Sequence, residues 1–183
     1  MKDLMNRALD LARLRGANYA DMRVVHNRTE NIALRDGVVE SLNSAENEGF
    51  GVRVLVGGAW GFASSRDLTP GEVDRITDQA LEIARASALV SGDPVDMGPA
   101  VTSQGVYITP LKVDPFTVSL EDKLSLLMAA DAAMSKVSGV RTRRSNISLM
   151  REHKTFANTE GAFTEQTIIE TGGGIQATAV GNG

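Results

Sequence analysis

The spacing of apolar positions changes repeatedly along the chain, and each change marks a predicted element. Over residues 3–15, Leu4, Ala8, Leu11 and Ala12 fall on one face of a 3.6-residue period, with Met5 and Leu9 widening the stripe. This predicts a helix that stops at Gly16, where glycine takes the left-handed conformation without strain. Residues 20–64 switch to strand-like spacing. Asp36-Gly37 signals a hairpin, because both central residues must tolerate positive φ. Phe50 to Val56 is the clearest strand, and Gly57-Gly58 turns it into Ala59-Trp60-Gly61-Phe62-Ala63. The expectation here is a meander of about four antiparallel strands.

Helical spacing returns at residues 70–90. Thr69-Pro70-Gly71-Glu72 is a capping box with proline at the first helical position. Val73, Ile76, Ala80, Ile83 and Ala84 supply the apolar face, and Gly92 and Pro94 end it. Residues 93–118 hold four of the five prolines and read as a connector, with a short strand at Val106–Ile108. Ser119 caps a third helix with Asp122 at its third position; Leu120, Leu124, Leu127, Met134 and Val137 give the expected face, and Gly139 the stop. Beyond it, Val140–Leu149 and Thr155–Asn158 read as two strands, Glu160-Gly161 as a turn, and Ala162–Thr171 and Ile175–Val180 as two more.

Landmarks recur at an offset of 123–124 residues: Gly16 and Gly139, Asp36-Gly37 and Glu160-Gly161, Gly51 and Gly174. The expected fold is α+β, in two helix-plus-antiparallel-meander units with an internal repeat. The helices should pack on one face of the sheet. The units are 1–92 and 119–183, joined by the proline-rich connector 93–118.

Composition narrows the function. Aromatic residues make up only 4% against 18 glycines, so the core must come from Leu, Val, Ile, Ala and Met. A net charge of −4 argues against a general binder of nucleic acid or anionic membrane. Cysteine is absent, which removes disulfides, thiolate metal sites and thiol nucleophiles. Met1 opens into an amphipathic segment and not a signal peptide, and no apolar run approaches the ~18 residues that span a bilayer. A cytoplasmic setting is expected, with no membrane and no direct nucleic acid as partner.

Motifs for chemistry are sparse. The histidines, His26 and His153, form no HExxH pair, and Glu152-His153 has the reverse order. A catalytic zinc takes three protein ligands, so no metal and no cofactor is expected in this chain. His26 is expected on a strand face and His153 in an exposed turn with Arg151 and Lys154. There is no GxSxG elbow, and Ser64-Ser65 reads as a polar strand end. Asp131, between Leu127 and Met134, reads as a helix-edge carboxylate. Gly172 to Ala177 nominally fits GxGxxA, but no helix follows to meet a pyrophosphate, so a β-bulge or strand crossing is expected. Gly49-Phe50-Gly51 fails the same test. Arg141, Arg143, Arg144, Arg151 and Lys154 form the one basic cluster, expected on a solvated sheet face or a subunit contact. Exposed strand edges are able to pair with extended peptides.

Several stretches in order resemble the TldD/PmbA family. They are Glu48-Gly49-Phe50-Gly51-Val52-Arg53-Val54 and Gly57-Gly58-Ala59-Trp60-Gly61-Phe62-Ala63-Ser64. Tyr19-Ala20-Asp21, Asp36-Gly37, Val113-Asp114-Pro115, Ser119-Leu120-Glu121-Asp122-Lys123-Leu124 and Ala157-Asn158-Thr159-Glu160-Gly161 extend the likeness over nearly the whole chain, leaning to the TldD side. The resemblance implies the N-terminal, non-catalytic part of an intracellular zinc metallopeptidase. The family is also called modulators of DNA gyrase. It cuts small unfolded or extended peptides, including ribosomally made precursors and antitoxins, and works as a homodimer or a TldD–TldE-type heterodimer. Zinc in such proteins is held by HExxxH and a later cysteine in the C-terminal half. This sequence has neither, so no catalytic or metal residue carries over, and zinc is expected only in that C-terminal domain. Arg53, Asn158 and Gly161 are the motif positions that would face a substrate path. Their plainer readings are a structural salt bridge for Arg53 and turn geometry for Asn158 and Gly161. The alternatives are a stand-alone peptide-binding or adaptor module that pairs with a full-length family member, and an unrelated enzyme using carboxylates in a cleft.

Overall fold

The computed structural model describes residues 1–90, 92–100 and 102–181. Helices α1 (Lys2–Leu14), α2 (Pro70–Ala88) and α3 (Leu120–Ser135) accompany strands β1 (Tyr19–Arg35), β2 (Val38–Val56), β3 (Ala59–Ser65), β4 (Gln104–Ile108), β5 (Val140–Asn158) and β6 (Phe163–Ala179). The strands form one sheet in the order β3-β2-β1-β5-β6-β4. β2 and β3 are antiparallel, while β4 runs parallel to β6 at the edge. The class is α+β, as expected.

The strand count differs from expectation. Residues 20–64 make three strands and not four, and the segments expected as two strands on each side of Glu160-Gly161 are single strands of 19 and 17 residues. The physical reason is that long stretches of β2 and β6 face water on both sides, so ladder hydrogen bonds alone hold them and no apolar alternation shows. The hairpin turn is as expected, with Asp36 at φ 50° and Gly37 at φ 78°. Helix, positive-φ glycine, long strand, turn, long strand is the order of α1 to β2 and again of α3 to β6. That likeness of element order does not establish a duplication.

The chain divides into two compact units, each built from three separate stretches. Unit 1 contains residues 1–26, 48–108 and 153–167; unit 2 contains 27–47, 109–152 and 168–183. In unit 1, Met5, Ala8, Leu9 and Ala12 of α1 join Val73, Ile76, Ala80, Leu81 and Ala84 of α2 over Ala20, Met22, Val24, Phe50, Val52 and Val54 of the sheet. Each fully buried Val or Leu side chain stabilises by roughly 1.5–3 kcal/mol. Both helices therefore cover the even-numbered face of β1 and β2. Arg7 clamps Asp74 through two 2.7 Å hydrogen bonds and ties α1 to α2. In α2, Ile83 is exposed, and Leu81 and Thr77 are buried instead; the Thr77 hydroxyl donates to the Val73 carbonyl at 2.7 Å and so satisfies itself. Gly61 of β3 lies directly beneath α2, where a Cβ would stand 2.0 Å from the Ala80 carbonyl oxygen.

Unit 2 has a smaller core of Ile32, Leu34 and Leu127, with Leu124 and Ile147 against it. Ser119 caps α3 by accepting from the Asp122 amide at 3.0 Å. The inward face of α3 is Lys123, Leu127, Asp131 and Met134, while Leu120 and Val137 are exposed. The expected face is thus corrected, because Lys123 and Asp131 each find an opposite charge inside. No helix among the described residues is long and apolar enough to cross a membrane.

Candidate functional site

In unit 1 the sheet face opposite α1 and α2 carries a cluster of polar and aromatic side chains around Asp21 and Arg53. Strand alternation puts Ala20, Met22 and Val24 into the core and leaves Tyr19, Asp21 and Arg23 on the other side. β2 does the same with Gly51, Arg53 and Leu55, and the register Arg53↔Phe62, Leu55↔Trp60 adds two β3 aromatics to this face.

Asp21 is 2% exposed and its charge is met by Arg53, whose Nε and Nη2 donate to Oδ2 at 2.9 and 2.6 Å. The Arg53 guanidinium also lies 4.4 Å from the Trp60 ring centroid, and Trp60 meets Tyr19 edge to face at 5.8 Å. Burial pushes the Tyr19 phenol above its ordinary pKa and the Asp21 charge adds to this, while a hydrogen bond from Asn158 works the other way. For Arg53, burial disfavours the charge, but the hydrogen bonds and attraction of Asp21 outweigh it, so its pKa is raised. Arg23 flanks the same carboxylate, 3.8 Å from Oδ1, and its guanidinium lies 5.3 Å from the Phe156 ring.

Asn158 organises the β5–β6 turn. Its Oδ1 accepts from the amides of Glu160 at 3.1 Å and Ala162 at 2.8 Å, an arrangement that mimics a backbone turn. Gly161 takes φ 100°, and its carbonyl accepts from Gln104 Nε2 at 3.0 Å. Thr159 fastens the turn to β1, donating to the Ala20 carbonyl at 2.9 Å and accepting from the Ala20 amide at 3.0 Å. Of the three motif positions, Arg53 and Asn158 therefore meet through Tyr19, and Gly161 stands apart at the turn. Salt bridge and turn geometry account for their local contacts. Sequence reasoning passed over Asp21 as a site residue; an acidic side chain inside the apolar run Tyr19–Val25 was the available signal.

Unit 2 holds further pairs. Lys123 Nζ donates to Glu30 at 2.8 Å with both side chains largely buried. Arg143 Nε donates to Asp131 at 2.9 Å, so Asp131 is a buried ion-pair partner. Arg151 pairs with Asp114, and the Phe116 ring receives both Arg28 and Arg151, at 4.9 and 4.7 Å. The Asp114 pKa is lowered first by the Phe116 amide and then by Arg151 and Arg28. The basic cluster is thus split: Arg143 and Arg151 are partly buried and paired, whereas Arg141 and Arg144 are exposed. His26 lies on β1 as expected. His153 lies on β5 and not in a turn, with Nδ1 3.0 Å from the Thr167 hydroxyl. Gly172 to Ala177 falls inside β6. Among the described residues no group of three or more His, Cys, Asp or Glu is arranged to hold a metal ion.

Comparison with known proteins gives this geometry a lineage. Residues 20–84 match the family model described as PmbA/TldA metallopeptidase domain 1, and residues 113–183 match the PmbA/TldA metallopeptidase central domain. A metalloprotease of Methanothermobacter thermautotrophicus is 29% identical over 168 residues, covering 86% of this chain and 36% of its own length. Metalloprotease slr0863 of Synechocystis is 28% identical over 152 residues, covering 82% of this chain and 32% of its own. The chain thus spans about a third of these relatives. A Bacteroides thetaiotaomicron crystal structure, named as a proposed modulator of DNA gyrase, superposes with a TM-score of 0.78 at 19% identity, over 100% of this chain and 42% of that one. TldE from Thermococcus kodakarensis gives 0.62 at 14% identity, over 97% and 43%. These structures share the fold. A domain 1 followed by a central domain is the class of architecture that the matches define. The chain belongs to the TldD/PmbA family of metallopeptidases.

Proposed function

We propose that this chain is the N-terminal, non-catalytic part of a TldD-like zinc metallopeptidase that cleaves small unfolded or extended peptides. The supporting observation is the order of the two matched domains, in a chain whose curated relatives are named metalloproteases and are about two and a half times as long. Zinc requires three protein ligands in a catalytic site. The described residues offer no such set, so they do not fit the metal and no catalytic step is assigned to them. Their proposed contribution is to enclose the substrate and to build a homodimer or a TldD–TldE-type heterodimer in the cytoplasm, a reducing setting that suits a chain without cysteine.

The test combines the reading frame with activity. The frame should continue past Gly183 and encode HExxxH, and its product should hydrolyse unstructured peptides in a chelator-sensitive way. The 183-residue chain alone should do neither that nor retain stoichiometric zinc. A stop codon directly after Gly183, or zinc-dependent cleavage by the 183-residue chain, overturns this reading.

A further inference from the structure

The helix-free face of unit 1 carries two guanidiniums and one buried carboxylate at a single point. Both donors of Arg53 that reach Asp21 converge on Oδ2. Arg23 stands 3.8 Å from Oδ1, beyond hydrogen-bonding distance, with a side chain 51% exposed. It donates no hydrogen bond within the protein among the described residues. Two guanidiniums therefore share one carboxylate, an excess of one positive charge among these three groups in a chain of net charge −4. Each guanidinium is held against a ring, Arg53 at Trp60 and Arg23 at Phe156. A planar fork fixed in this way loses little freedom when it binds, which is the usual advantage of arginine for bidentate anions.

We propose that Arg23 and Arg53 form a receptor for a carboxylate carried by an extended peptide. Charge decides that the ligand is anionic, and fork geometry suits a carboxylate or a phosphate. The rings decide between carriers. Single-stranded nucleic acid binds by stacking successive bases on open aromatic faces; here Trp60 and Phe156 already bear guanidiniums, and the exposed Phe62 ring alone offers no run of stacking platforms. The carboxylate comes from the C-terminus or from an Asp or Glu side chain of the peptide. The choice of a peptide rests on the function proposed above; the positive charge excess does not.

The chain's single tryptophan is Trp60, which sits at the site and reports on it. The experiment titrates the 183-residue chain with unstructured peptides and follows Trp60 fluorescence. One peptide contains Glu and a free C-terminus, one replaces Glu by Gln, and one has an amidated C-terminus. Saturable binding of the first peptide is expected, with affinity falling about tenfold in Arg23→Gln, the worth of one charge-assisted hydrogen bond. Arg23→Lys should lose part of that affinity, since it keeps the charge and drops the fork, and circular dichroism should be unchanged in both. A loss confined to the Gln peptide identifies a side-chain carboxylate; a loss confined to the amidated peptide identifies the C-terminus. No saturation at millimolar peptide, or affinity indifferent to Arg23→Gln, overturns the proposal. So does tighter binding of inorganic phosphate or an oligonucleotide. If the carboxylate peptides fail to bind while the longer gene product still cleaves peptides, this inference falls and the peptidase reading stands. If they bind and the gene product is inert, the reverse holds.

Discussion

Substituting alanine for Gly61 probes how closely α2 sits on the sheet. The added Cβ would stand 2.0 Å from the Ala80 carbonyl oxygen, 2.5 Å from the Ala84 nitrogen and 2.9 Å from the Ala84 Cβ. Two of these are backbone atoms in the middle of a helix, so no side-chain rotation relieves them. Either α2 or β3 must retreat by about 1 Å to bring the carbonyl contact to a tolerable distance. A radial gap of 0.5–1 Å already forfeits a quarter to a half of each dispersion contact, and the buried side chains Val73, Ile76, Ala80, Leu81 and Ala84 all lie on the displaced helix. Overpacking of a close-packed site typically costs 1–3 kcal/mol, and rigid backbone on the other side puts Gly61→Ala at the upper end, about 3 kcal/mol. For a chain of this size that corresponds to a fall in Tm of about 6–12 °C. Thermal unfolding followed by far-ultraviolet circular dichroism measures it. Gly71→Ala is the control: Gly71 lies in the first turn of α2 with nothing within 4 Å of the place an alanine methyl would take, and alanine there should stabilise by up to about 1 kcal/mol. Equal Tm values for wild type and Gly61→Ala would refute the close approach.

Three further outcomes follow from the ion pairs. Asp21→Asn should cost about 2–3 kcal/mol in urea unfolding, somewhat below the usual figure for breaking a buried pair because the Arg53 side chain is 37% exposed; an unchanged midpoint would count against the pair. Glu72 has a pKa lowered to about 2, first by Arg75 and then by Ser65. A depressed folded-state value means that its contribution is present above the ordinary pKa of 4.5 and is lost as pH falls toward 2; carboxyl NMR titration should find that midpoint, and Arg75→Ala should move it upward. Lys123→Met should cost about 3 kcal/mol by stranding Glu30, whereas Lys123→Met with Glu30→Leu should come close to wild type; a double-mutant cycle with no coupling would refute the buried pair.

What the sequence made legible was local. The caps at Thr69 and Ser119, the positive-φ turn at Asp36-Gly37 and the stop at Gly16 each depend on a few adjacent residues, and all are found in place, whereas α3 ends at Ser135, ahead of the stop expected at Gly139. Strand length was not legible. The expected meander of about four strands over residues 20–64 is three, because β2 continues through the polar, exposed residues Asn43 to Glu48 where no apolar alternation marks a strand. The face of α3 was misread because Lys123 and Asp131 are buried only by virtue of Glu30 and Arg143, which arrive from other strands. The candidate site was half legible for the same reason. Arg53 stood out within its motif, but its partner Asp21 lies 32 positions away and Trp60 joins only through the β2–β3 register.

The interleaving of the two units bears on synthesis. Unit 1 needs residues 153–167, and these leave the ribosome only after the whole of 109–152 has been made. At roughly 5–20 residues per second that interval lasts a few seconds. Throughout it, the N-terminal half of β1 has β2 on one side and no neighbour on the other, since its second partner is β5. A nascent chain with an unpaired central strand is open to pairing with other nascent chains. Slowing translation between residues 109 and 152 should therefore raise the aggregated fraction, and a chaperone that shields the β1 edge should lower it.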